Sequence, residues 1–173
     1  MELWDIYNAS REKTGQSMVR GAQFEQGAFH LVVHVCIFNA DGRMLIQQRQ
    51  KDKQGWPGMW DISVGGSAVS GEDAQTAAMR EVYEELGIRV NLSGIRPHLT
   101  VNFDHGFDDI FLFEKDVDLS ETVLQPEEVQ NVKWAERNEI KQMINDGVFI
   151  PYYPALIDLM FDSRKHYGMH EKI

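Results

Sequence analysis

The sequence holds a single cysteine, Cys36, so an intrachain disulfide is impossible and a zinc site built on several thiolates is excluded. That scarcity of thiols fits a reducing compartment, and the cytoplasm is the expected location. Long apolar runs are missing too: Leu31 to Val33 is interrupted by His34, far short of a signal or membrane-spanning segment. No membrane partner is expected. Positive charge is scarce, with 17 Lys and Arg against 27 Asp and Glu and a net charge of −10, so the surface field opposes a nucleic-acid duplex. An anionic small molecule would need local help against that field, and a divalent cation held by carboxylates is the usual device.

What is present suits one folded unit. At roughly 100 to 200 residues per domain, 173 residues predict a single domain spanning 1–173. Hydrophobic residues at 43% and charged residues at 25% supply both a core and a solvated surface. Residues 1–28 read as an N-terminal β-hairpin, with extended pieces Leu3 to Tyr7 and Gln16 to Arg20 around the turn-prone Asn8 to Gly15. Leu31 to Phe38 and Met44 to Gln48 flank Asp41-Gly42 and predict a second, central hairpin. Beyond the loop Lys51 to Trp60, Asp61 to Val64 predicts a short strand that runs into Gly65-Gly66. Asp73 to Leu86 lacks Gly and Pro and is closed by Gly87, which predicts a helix. Ile95 to Phe103, Ile110 to Phe113 and Val129 to Trp134 predict strands; Glu136 to Asn145 and Pro154 to Tyr167 predict helices. Because strands and helices mix without strict βαβ alternation, an α+β layered fold is expected.

Chemistry concentrates between Gly66 and Ile88. At about 100° per residue, Glu81, Glu84 and Glu85 share one narrow helix face while Met79, Val82 and Leu86 share another. Like charges at this spacing weaken an isolated helix by roughly 0.2 to 0.5 kcal/mol per pair. A hard divalent cation reverses that sign, and an oxygen-only ligand set favours Mg²⁺, with Mn²⁺ as substitute, over zinc. A solvated acidic helix face is the plain alternative. The wider spacing decides between them: Gly66, Glu72, Arg80, Glu81, Val82, Glu84, Glu85, Gly87 and Ile88 place nine specified positions in 23 residues. This set resembles the signature of the Nudix hydrolases, Gly-x5-Glu-x7-Arg-Glu-U-x-Glu-Glu-x-Gly-U with U a bulky aliphatic, and every position is met.

The resemblance implies the Nudix fold, a mixed β-sheet sandwiched between helices, with residues 66–88 forming a loop, helix, loop unit. It implies that Glu81, Glu84 and Glu85 hold Mg²⁺, that the Gly65 carbonyl is a further ligand, and that Glu72 and Arg80 brace the loop against the helix. Glu81, Glu84 and Arg80 are then the candidate catalytic set, with Arg80 in a supporting role. The general base is Glu81 or Glu84, with Asp104, Asp108 and Asp109, beside His105, in competition. The implied activity is Mg²⁺-dependent hydrolysis of a diphosphate linkage in a small molecule of the nucleoside-diphosphate type.

A narrower resemblance links Leu3-Trp4-Asp5, Phe29-His30-Leu31 and the run Pro57 to Gly66 to the subgroup of Nudix proteins close to isopentenyl-diphosphate isomerase. The isomerase needs a catalytic cysteine where this chain has Gly65 and a histidine where it has Ser67. Of its two upstream metal histidines, His30 matches one and Gln23 stands at the other. These departures favour hydrolysis over the two rivals, an isomerase and a non-catalytic Nudix-like binding module. Cys36 lies mid-strand in an apolar run and reads as core. His30 and His34 point to one strand face but stand about 13 Å apart at ~3.3 Å per residue, so both read as packed histidines. Arg49, Lys51 and Lys53 are candidate phosphate contacts, although a solvated basic loop has the same composition. Trp56 is expected to be the exposed substrate contact and Trp60 to belong to the core. Phe103, Phe107, Phe111 and Phe113 are expected in the core and pocket wall. A homodimer is the possible assembly.

Overall fold

Alternation along the central strand decides the layers. In the computed structural model, which describes residues 2–170, His30–Phe38 forms a strand whose Leu31, Val33, Val35 and Ile37 join one apolar cluster while Cys36 and Phe38 join a second. In chain order the elements are β1 (Leu3–Tyr7), β2 (Lys13–Val19), β3 (His30–Phe38), β4 (Met44–Arg49), β5 (Trp60–Asp61), β6 (Val64–Ser67), α1 (Ala74–Leu86), β7 (Leu99–Phe103), β8 (Gly106–Glu114), β9 (Val129–Ala135), α2 (Arg137–Asn145) and α3 (Pro154–Ser163). β3 pairs with β8 in parallel and with β6 antiparallel, β8 carries β7 at the edge, and β4 carries β5 and β9. Ala77, Ala78, Val82 and Leu86 of α1 cover one face of this mixed sheet. Ile140 and Met143 of α2 with Ile157, Met160 and Phe161 of α3 cover the other. The sheet is thus sandwiched between helices in an α+β arrangement.

Helix α1 has the ends its sequence encodes. Asp73 accepts a hydrogen bond from the Thr76 N–H at the N-terminus, and Gly87 adopts φ 70° at the C-terminus, where its N–H bonds to the Tyr83 carbonyl.

Other boundaries differ from expectation. β3 and β4 meet only at Phe38 and Met44, so the central hairpin exists at its turn alone. Beyond it the strands separate, and the fully buried Ser63 bridges them: its hydroxyl accepts from the Ile37 N–H and donates to the Leu45 carbonyl. The stretch expected as one strand from Asp61 to Val64 is therefore two, β5 on β4 and β6 on β3. β7 begins at Leu99 instead of Ile95, after Gly94 at φ 74° and Pro97, which has no N–H to offer a ladder. α3 ends at Ser163, short of Tyr167, whose ring instead stacks on His98. β2 starts earlier than expected, at Lys13.

The N-terminal hairpin forms its own two-stranded sheet and pins the loop ahead of α1. The Leu3 carbonyl accepts from the Ser70 N–H, Asp5 accepts from the Ser70 hydroxyl and the Gly71 N–H, and Lys13 donates to the Glu72 carbonyl.

Candidate active site

The site forms where the C-terminal half of α1 faces β6 and the end of β4. Arg80 organises it. Its Nε and Nη2 donate to the two oxygens of Glu72 at 2.8 and 2.9 Å, Nη2 also reaches the Ser67 carbonyl, and Nη1 donates to Glu81 and Glu84 at 2.9 Å each. One guanidinium thus joins the loop to the helix and screens two glutamates from each other. Glu81 lies against Gly66 so closely that a Cβ there would stand 2.2 Å from its carboxyl carbon. A side chain at 66 would displace the Glu81 carboxylate from this position. Glu85 is buried and accepts from Gln47 Nε2 at 2.8 Å.

Burial disfavours the charged form of two of them, Glu81 and Glu85. Desolvation raises the Glu81 pKa against the opposing pull of Arg80. It pushes Glu85 up to about 8, against the Gln47 hydrogen bond, with Glu81, Glu128 and Asp61 adding to the rise.

Glu81, Glu84 and Glu85 do not close on a single point, because Arg80 draws the first two and Gln47 the third. Among the described residues, no group of three or more His, Cys, Asp or Glu side chains is gathered as a ready metal cage. The donor chemistry nonetheless fits a hard cation. Those hydrogen bonds use one oxygen of each glutamate, and beside Glu85 the buried Gln47 Oε1 has no hydrogen-bond partner at all. Desolvated carboxylates and an orphaned amide oxygen are what a divalent ion would stabilise.

A cleft of about 240 Å³ contains these carboxylates together with Gly65, Arg49 and Lys53. Arg49 Nε donates to the Gly55 carbonyl at 3.0 Å and Nη1 lies 3.4 Å from Asp61, while Lys53 pairs with Glu128. Of the expected phosphate and base contacts, Lys51 and Trp56 do not line this cleft. Trp56 is 49% exposed and has φ 52°, a left-handed backbone rare for an aromatic residue. Trp60 is half-buried against the second cluster, beneath Lys133. Among the competing base candidates, Asp109 is fully buried in an ion pair with Arg11, and Asp108 bonds His34. Phe107 and Phe111 are core and Phe113 packs against it, but Phe103 is 41% exposed.

Several residues of the cleft had no signal in the sequence. Glu2 and Arg20 reach it from the hairpin, Gln125 and Glu128 from the segment before β9, and Gln47 on β4 holds Glu85 from behind it. A larger cleft of about 780 Å³ lies around the other end of α1, lined by Arg11, Lys13 and Arg96, and none of Glu81, Glu84 and Glu85 reaches it.

Comparison with known proteins agrees with this arrangement. Residues 28–153 match the model of the NUDIX domain. The chain belongs to the Nudix family. An uncharacterized Nudix hydrolase of Listeria monocytogenes is 50% identical over 170 residues, covering 98% of this chain and 99% of the relative. An isopentenyl-diphosphate Delta-isomerase of Salmonella typhi is 31% identical over 123 residues, 66% of each chain. Among solved structures, DR0079 from Deinococcus radiodurans superposes with a TM-score of 0.72 at 23% identity, covering 92% of this chain and 97% of its own. The Nudix fold and the pyrophosphohydrolase class follow. Among the described residues, no helix of this Nudix chain is long and apolar enough to cross a membrane.

Proposed function

We propose that the protein is a Mg²⁺-dependent hydrolase that cleaves a diphosphate linkage in a small nucleoside-diphosphate-type molecule, with Mn²⁺ able to substitute. The observation that carries this reading is the meeting of Glu81, Glu84 and Glu85 with Gly65 and the cations Arg49 and Lys53 in one cleft. The glutamates and the Gly65 carbonyl would hold the metal, which when bound neutralises charge on the diphosphate and lowers the pKa of water. Arg49 and Lys53 would meet the phosphate oxygens, and Arg80 keeps Glu81 and Glu84 in place. Glu81 or Glu84 would take the proton of the attacking water. Trp56, held outward on its strained loop, would meet the group attached to the diphosphate. On this reading residues 1–173 act as one domain with the hairpin of residues 1–28 as its extension, and a single cysteine suits a reducing compartment such as the cytoplasm.

The isomerase reading is disfavoured on steric grounds as well as on residue type. A Cβ at position 65 would stand 2.4 Å from Cδ2 and Nε2 of His34, so the imidazole fills the space a cysteine side chain would need. The test is hydrolysis with Mg²⁺ across nucleoside di- and triphosphates, dinucleotides, sugar nucleotides and prenyl diphosphates, read by chromatography of the phosphate-monoester, phosphate and pyrophosphate products, alongside deuterium incorporation into isopentenyl diphosphate. Hydrolysis of nucleotides without incorporation is expected. Incorporation at enzymatic rates, or no hydrolysis of any member, would overturn the proposal.

A further inference from the structure

β6 carries two consecutive glycines, and each is covered on a different face. Gly65 stands opposite His34 and Gly66 opposite Val33 in the β3–β6 register, so the two positions point to opposite sides of the sheet. On one side the His34 ring lies over Gly65 within 2.4 Å of where a Cβ would be; on the other the Glu81 carboxylate lies over Gly66 within 2.2 Å. An imidazole and a carboxylate therefore grip the same four-residue strand from both faces.

The imidazole is itself anchored. His34 Nδ1 lies 2.8 and 2.9 Å from the two oxygens of Asp108, which stands two residues before His34's parallel partner Ile110 on β8. Both side chains are largely buried, with relative exposures of 17% and 20%. A ring clamped at Nδ1 cannot swing away from Gly65 without breaking a short hydrogen bond in a region of low dielectric.

We propose that His34, anchored by Asp108, is a positioning residue for the metal site: its ring sets the height of β6, and with it the Gly65 carbonyl and the Glu81 carboxylate on the opposite face. This rests on the reading that Gly65 and the glutamates hold the metal. Supporting residues of this kind alter metal affinity by about 10- to 100-fold when replaced, without touching the ion. Their effect should also be coupled to that of the residue they position.

The experiment is a double-mutant cycle of His34→Ala and Gly65→Ala in the full chain, read as Mn²⁺ affinity by electron paramagnetic resonance of the free ion, with the thermal midpoint measured in EDTA. Gly65→Ala alone should weaken Mn²⁺ binding about ten-fold, because its Cβ meets the ring, and His34→Ala alone by a similar factor. Once the ring is gone the added methyl has room, so the double variant should match His34→Ala within roughly two-fold. Strict additivity would overturn the proposal. If Gly65→Ala fails to fold, His34→Ala and Asp108→Asn decide: wild-type Mn²⁺ affinity in both would overturn it, whereas weakened binding with an unchanged midpoint supports it. Restored affinity in His34→Phe, which keeps the ring's bulk, would support the steric part of the argument. Glu84→Gln separates the two levels. Wild-type Mn²⁺ binding in that variant would overturn the metal reading and the inference with it, while weak binding there beside wild-type binding in His34→Ala would overturn the inference alone.

Discussion

Arg11, at the tip of the N-terminal hairpin, forms an ion pair with Asp109, a fully buried residue of β8 lying 98 positions further along the chain. Thr100 on β7 bonds both partners, donating to Asp109 at 2.7 Å and accepting from Arg11 at 3.2 Å. Arg11 makes this contact from a left-handed backbone at φ 63°, an unfavourable conformation that the ion pair offsets.

Removing the arginine would leave a buried carboxylate with one hydroxyl for company. With the Arg11 side chain 38% exposed, Arg11→Ala should destabilise the protein by about 1 to 2 kcal/mol, less than for a fully buried pair, measured by urea unfolding at pH 7. Asp109→Asn should cost less, because the neutral amide carries no uncompensated charge. Equal stability of wild type and Arg11→Ala would show that the hairpin is not latched through this pair.

Acid stability should depend on Asp5. Burial opposes its ionisation, but hydrogen bonds from Lys13, Ser70 and Gly71 prevail and hold its pKa down to about 2. A carboxyl depressed in the folded state contributes stability that is present above its unfolded pKa and lost as the pH falls through the folded one. The window is pH 4 down to 2, and the contribution is at most about 2 kcal/mol before solvent screening. Unfolding free energies of wild type and Asp5→Asn should converge across that window; a constant difference would contradict the assignment.

The glutamates predict opposite signs for stability and activity. Glu85 is buried beside other carboxylates, so Glu85→Gln should raise the thermal midpoint in EDTA while lowering turnover by about 100-fold or more. Glu84 is 47% exposed, and Glu84→Gln should leave the midpoint unchanged with a comparable loss of turnover. EDTA should abolish activity in wild type and Mg²⁺ should restore it. Full turnover in either variant would remove that glutamate from the site.

Trp56 and Trp60 should divide binding from stability. Trp60 packs against the second core cluster, so Trp60→Ala should cost about 3 kcal/mol, read by thermal or urea unfolding. Trp56→Gly should be neutral or stabilising, since glycine adopts φ 52° without strain, while the Michaelis constant rises several-fold for all nucleotides alike. A kinetically silent Trp56→Gly would remove this side chain from substrate recognition.

Features that depend on local spacing were legible in the sequence. The extent of α1 to within a residue, its Gly87 cap, the shared face of Glu81, Glu84 and Glu85, and the burial of Cys36 follow from helical period, capping chemistry and alternation, which operate within a few residues. The nine-position spacing likewise carried the family, and with it the layered fold. The separation of β3 from β4 was not legible, because the Asp41-Gly42 turn reports only on its immediate neighbours while Ser63 and β6 take over β3's edge. Nor were the roles of His34, Asp108 and Asp109, three polar residues in apolar strands whose partners lie 74 to 98 positions away. Period and propensity place such a side chain on a face of a strand. Only the tertiary fold decides whether that face meets a glycine, an arginine or solvent, because the energy of a buried polar group is set by the partner brought to it.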